Sequence, residues 1–134
     1  MSGAHEHHVS PHGLAPGTGY SHVVSAAGRL VVVSGQVALD DQGQVVGADD
    51  ARVQTEKVFE NLSLALAAAG ATFADVIKLT YFVLDVAVLP TVREVRDRYV
   101  DTDRPPASSA FQVGALFRPD LLLEIEALAV TDAG

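Results

Sequence analysis

Cysteine and tryptophan are absent from the 134 residues, and methionine occurs once. Without a thiol the chain has no disulfide, no thiolate nucleophile and no cysteine-based zinc or iron–sulfur site. Positive charge is scarce: nine Lys and Arg stand against 17 Asp and Glu, for a formal net charge of -8. The average field therefore repels a phosphate backbone, so nucleic acid is not an expected partner. Also missing is any apolar run of the roughly 18 residues that a membrane span requires, and the amino terminus lacks the basic and apolar blocks of a signal peptide. These absences predict a cytoplasmic protein with no membrane partner.

What is present is apolar for so small a chain. Hydrophobic residues make up 49% of the sequence and charged residues 19%, so some apolar area is expected to be buried between subunits. The length suits one domain with its own core. Residues 1–17 show no period and are rich in His, Gly, Ser and Pro, which predicts a flexible arm; residues 18–131 form the domain, and 132–134 a tail.

Two β-favouring runs, Tyr20–Ala26 and Leu30–Gln36, are joined by Ala27-Gly28-Arg29 and predict a hairpin. After a polar loop, Asp49 or Asp50 is placed to cap a helix over 51–69, whose apolar stripe includes Val58, Phe59, Leu62 and Leu66 and which Gly70 ends. The run from Asp75 to Leu84 is apolar on both faces, as a central strand is. Pro90 opens a second helix that carries Val92, Val95 and Tyr99 on one side and Arg93, Arg96 and Asp97 on the other, ending near Val100. Strands over 107–115 and 121–130 complete a ββαβαββ order, with both helices on one sheet face.

Several residues interrupt this pattern with chemistry. In the last strand Leu121, Leu123, Ile125, Ala127 and Ala129 share one face, while Glu124 and Glu126 break the apolar run of the other. A carboxylate in such a place is a candidate acid or base, or else an edge-strand charge or a salt-bridge partner at a subunit contact. Pro105-Pro106 leads into Ala107-Ser108-Ser109 with a fixed backbone that suits a binding rim. No Gly-x-Ser-x-Gly accompanies these serines, so a hydrolase triad has little support. In Ser34-Gly35-Gln36 the glycine permits close approach of a ligand or marks a bulge. His5, His7, His8 and His12 are chemically able to bind a divalent metal, but no nearby Cys or Asp completes a set, and no metal site is expected; His22 reads as structural. The mixed signs around Arg93, Arg96, Arg98 and Arg104 suggest a solvated face.

Taken in order, Gly19-Tyr20-Ser21, Ser34-Gly35-Gln36, Gln54-Thr55 with Asn61-Leu62, Ala68-Ala69-Gly70, Asp75-Val76-Ile77-Lys78, Pro105-Pro106-Ala107 and Glu124-Ile125-Glu126-Ala127 resemble the RidA/YjgF family over residues 16–130. The resemblance implies an α+β, chorismate-mutase-like ββαβαββ fold, with a mixed sheet and two helices packed on one face. It also implies a homotrimer whose inter-subunit clefts take a small carboxylate, keto acid or imine, without a cofactor. Among members that are enamine or imine deaminases, an arginine after Pro-Ala holds the substrate carboxylate and a glutamate on the last strand positions water. Carried over, Glu124 and Tyr20 take the catalytic positions, and Ser34, Gly35, Phe82, Arg93, Ala107 and Ser108 the ligand-binding ones. The arginine position is occupied by Ser108, and Thr18-Gly19 replaces the family's Gly-Pro before the tyrosine. A serine cannot reproduce a bidentate guanidinium–carboxylate pair. Arg93, which stands where members often carry asparagine, Arg104 and Arg118 are the candidate substitutes. Two functions follow: a deaminase-like hydrolase on an unusual substrate, or a non-catalytic metabolite-binding or regulatory trimer. The ribonuclease activity also attributed to the family fits poorly with the net charge of -8.

Overall fold

Three residues of the expected arm open the fold as a strand. The computed structural model describes residues 5–132, in the order β1 (Glu6–His8), β2 (Val23–Ser25), β3 (Arg29–Gln36), α1 (Ala51–Ala68), β4 (Val76–Val83), α2 (Leu89–Arg96), β5 (Ala107–Gln112) and β6 (Leu123–Thr131). The main sheet runs β3-β6-β4-β5. β6 pairs antiparallel with β3 and β4, whereas β5 lies parallel to β4, which makes the sheet mixed. The two strands that are apolar on both faces, β4 and β6, are the central ones, as burial on both sides requires.

The side-chain period of two divides the sheet into two faces. One face carries Val31, Val33, Leu79, Tyr81, Val83, Leu123, Ile125, Ala127 and Ala129, all buried beneath the helices. Val58, Phe59, Leu62 and Leu66 of α1 and Val92 and Val95 of α2 complete this core. Asp50 caps α1 by accepting from the Val53 N–H at 3.0 Å, and Gly70, at φ +72°, follows its C-terminal turn. Gln54 is buried in α1, donates to Gly47 O and Asp120 O, and accepts from the Leu122 N–H. It thereby ties the helix to the approach of β6. The opposite face is left open, with Leu30 60%, Val32 69% and Phe111 52% exposed. Among the described residues, no helix is long and apolar enough to cross a membrane.

Several expectations change. The segment read as a flexible arm is docked on the body: β1 pairs with β2, His5 Nε2 donates to Val130 O, His7 Nδ1 donates to Pro105 O, and Arg104 donates to His5 O. A three-residue strand is too short to show a period, and the acceptors of the His5 and His7 side chains lie 125 and 98 residues away in sequence. Of the expected tail at 132–134, only Asp132 is among the described residues.

The hairpin is also not formed, because β2 pairs with β1 while β3 pairs with β6. Ser21 is drawn instead to the start of β5, donating through N to Pro106 O and through Oγ to Pro105 O. Gly28, at φ +147°, carries the chain past the end of β6, where any Cβ would strike Thr131 O. α2 ends at Arg96 rather than near Val100, the chain turning through 97–100.

Candidate functional site

The bulge between Val33 and Gln36 sets the first constellation. Val33 is opposite Ala127 and Gln36 opposite Ile125, so Ser34 and Gly35 share the space facing a single residue of β6. The kink brings Gly35 onto Glu124, and a Cβ at this position would overlap the carboxylate and its Cγ. Only glycine admits so close a contact. Glu124 is half-buried on the open sheet face and has no hydrogen bond or ion pair among the described residues. Phe82 stands beside it in register on β4 and stacks on Phe111 of β5, with centroids 6.0 Å apart. Glu124, Ser34, Gly35 and Phe82 therefore meet on one face.

The second constellation lies on the other face. A pocket of about 70 Å³ opens between α2 and the β4–β5 edge, lined by Gly19, Tyr20, Tyr81, Leu89, Val92, Arg93, Arg96, Ser108 and Ala110. Tyr20, Arg93 and Ser108 of the expected site are gathered here. Ala107 is not with them, because the register puts it beside Lys78 on the open face, where Lys78 Nζ donates to Ser109 Oγ. Pro105 and Pro106 are buried and do not line this pocket; their carbonyls receive His7 and Ser21. The rim expected from their rigidity is thus the dock of the amino-terminal segment.

Arg96 corrects the solvated-face expectation for α2, for it is only 4% exposed. Its Nη1 donates to Gly19 O at 2.6 Å, and its Nε and Nη2 donate to Asp97 Oδ1. A buried guanidinium is tolerated when it is paired in this way. Arg93, one turn earlier, has no hydrogen bond or ion pair among the described residues and borders the pocket. Of the three candidate substitute cations it is the one at this site, since Arg104 holds His5 O and Arg118 donates to Gly43 O. Gly19, at φ +78°, lines the pocket in a backbone conformation that favours glycine, next to the Arg93 and Arg96 side chains.

Tyr81 was not legible as a site residue, because it continues the inward series Leu79-Tyr81-Val83. It is 6% exposed, and its hydroxyl has no hydrogen-bond partner among the described residues. Burial pushes the phenol up to about 12, although the nearby Arg96 and Arg93 guanidiniums pull it down. Arg96 acts through proximity, since no well-formed hydrogen bond joins the two. The neutral form contributes its full stability below the unfolded value near 10.0 and loses it as pH climbs toward 12. Stability should fall by about 2 kcal/mol more between pH 10 and 12 in the native protein than in Tyr81→Phe, read as a larger drop in melting temperature. Parallel declines would show that Tyr81 does not carry this linkage.

Among the described residues, no group of three or more His, Asp or Glu is arranged to hold a metal. His5 and His7 lie 6.3 Å apart and serve as docking donors.

A family model for Endoribonuclease L-PSP matches residues 11–131. Protein DfrA of Myxococcus xanthus is 38% identical over 91% of this chain and 90% of its own length. The 3-aminoacrylate deaminase RutC of Acinetobacter baylyi is 35% identical over 90% of this chain and 94% of its own. Among solved structures, the conserved Rid-family protein YyfB of Yersinia pestis superposes with a TM-score of 0.83 at 36% identity, covering 94% of this chain and 98% of that one. RidA from an Antarctic Psychrobacter superposes at 0.70 with 30% identity, covering 87% and 91%.

Proposed function

The chain belongs to the RidA/YjgF family, whose sequence model is described as Endoribonuclease L-PSP, and from that premise we propose that it is a homotrimeric enamine or imine deaminase acting on a small carboxylate-bearing substrate. The observation that carries the reading is Glu124: a carboxylate with no partner among the described residues, seated on a glycine, on a sheet face with Leu30, Val32 and Phe111 exposed. Such a group is available to take a proton from water.

In the reaction, water adds to the imine carbon as Glu124 removes its proton. Glu124 returns that proton to nitrogen to give a carbinolamine, whose hydroxyl proton then passes to nitrogen as ammonia leaves and the C–O bond closes to a ketone. The half-site that contains Glu124 and the half-site that contains Arg93 and Ser108 lie on opposite faces of one sheet, so a substrate that meets both must sit between two protomers. The exposed face supplies the apolar surface for that association. The net charge of -8 argues against a phosphodiester substrate.

The test is direct. Purified protein should speed the conversion of freshly generated 2-aminoacrylate to pyruvate and ammonia, or that of 3-aminoacrylate or a bulkier imine. No acceleration with any of these would overturn the reading. The neutral Ser108 beside the pocket favours a second reading, a metabolite-binding trimer without turnover, and saturable binding with no acceleration would establish it.

A further inference from the structure

Tyr81 presents an unusual combination: a phenol oxygen buried almost completely, without a hydrogen-bond partner among the described residues, at the wall of a pocket. An orphaned buried hydroxyl is destabilising, and phenylalanine would fill the same volume without that penalty. A second observation stands opposite it. Arg93 brings an unpaired guanidinium to the same pocket, while the neighbouring Arg96 is already neutralised by Asp97 and anchored on Gly19 O. The pocket therefore offers one uncompensated positive charge, one neutral O–H donor and the Ser108 hydroxyl, against walls of Leu89, Val92 and Ala110.

We propose that Tyr81 and Arg93 together form the anchor for one carboxylate group of a small 2-oxo or 2-imino acid, with both donors supplied by the same protomer. This inference rests on the reading above that the ligand is a small carboxylate, and it assigns the residues that hold it. The volume of about 70 Å³ accommodates on the order of five water-sized heavy atoms, enough for the carboxylate and the carbons next to it. The remainder of the ligand projects outward. Arg93 donates to one carboxylate oxygen and Tyr81 Oη to the other, giving two hydrogen bonds to an ionised acceptor, the stronger kind. Because only one charge is uncompensated, a monocarboxylate is matched, whereas a second negative charge would be brought against apolar walls.

The probes are pyruvate, oxaloacetate and inorganic phosphate, titrated calorimetrically into the full-length native protein, Tyr81→Phe and Arg93→Gln near neutral pH. Native protein should bind pyruvate in preference to the other two. Arg93→Gln should weaken pyruvate binding by about tenfold to a hundredfold, and Tyr81→Phe by roughly tenfold. Tyr81→Phe should leave the melting temperature unchanged or raised, an outcome that a merely structural hydroxyl would not produce. Should Tyr81→Phe prove poorly folded, the exposed Arg93 still decides the matter. Undiminished pyruvate binding in Arg93→Gln, no pyruvate binding by the native protein, or phosphate bound as tightly as pyruvate would each overturn the proposal. Binding that depends on Arg93 and Tyr81 without turnover would remove the deaminase reading and leave this one intact. Turnover without such dependence would do the reverse.

Discussion

Glu124→Gln should lower turnover of short imino acids by about 10²–10⁴-fold, the range associated with losing a positioned proton acceptor. The amide has the shape of the carboxylate and sits over Gly35 without new overlap, so the fold has no reason to change. Glu124 has no hydrogen bond or ion pair among the described residues, and the substitution therefore breaks no structural bond. Stability should stay within the few tenths of a kcal/mol typical of neutral replacements at partly exposed positions. Loss of rate with an unchanged melting curve separates chemistry from folding. If the variant keeps more than about a tenth of native kcat/KM, an effect below the lower end for general-base catalysis, Glu124 is not the proton acceptor.

Val32→Asp should split the assembly and remove activity with it. Val32 is 69% exposed and its neighbour on the same face, Leu30, 60%, an arrangement that leaves about 1.5–3 kcal/mol per side chain unrealised until another surface covers it. An aspartate there would have to enter the contact as an unpaired charge, at a penalty of several kcal/mol repeated in every protomer. Sedimentation should show the native protein at three times the 14.0 kDa chain mass and the variant near the single chain. The helical circular dichroism should persist, because Val32 points away from the core under α1 and α2. A native protein that sediments as a single chain would sink the trimer, and with it the requirement for two protomers at the site. A variant that dissociates but retains full turnover would show that one protomer contains the whole catalytic apparatus.

Much of the fold was readable from local pattern. The α1 boundaries follow from a capping Asp50 and a terminating Gly70 around a stripe of three- and four-residue steps. The central strands follow from being apolar on both faces, and the buried series Leu121, Leu123, Ile125, Ala127 and Ala129 follows from a period of two. The family, too, was legible, since short motifs in the right order survive as residues rather than as contacts. The false hairpin shows where this stops. Composition marked Tyr20–Ala26 as extended, but its strand pairs with β1, and Ser21 is held by carbonyls of Pro105 and Pro106 some 80 residues away.

The site divides along the same line. Glu124, Gly35 and Ser108 stand out because each departs from its local pattern or from the family's, and such departures are visible in one dimension. Tyr81 and Arg96 depart from nothing. Tyr81 keeps its place in an inward-facing alternation, and Arg96 looks like one more charge on an amphipathic helix, so only packing reveals that one lacks a partner and the other is buried. Most consequential is the separation of the expected residues onto opposite sheet faces. The sequence by itself determined which chemical groups the protein has and which elements carry them. Only the tertiary structure decided which groups meet, because strand pairing, and the half-turn of every successive side chain, send Tyr81 to a pocket under α2 and Phe82 to the open face beside Glu124.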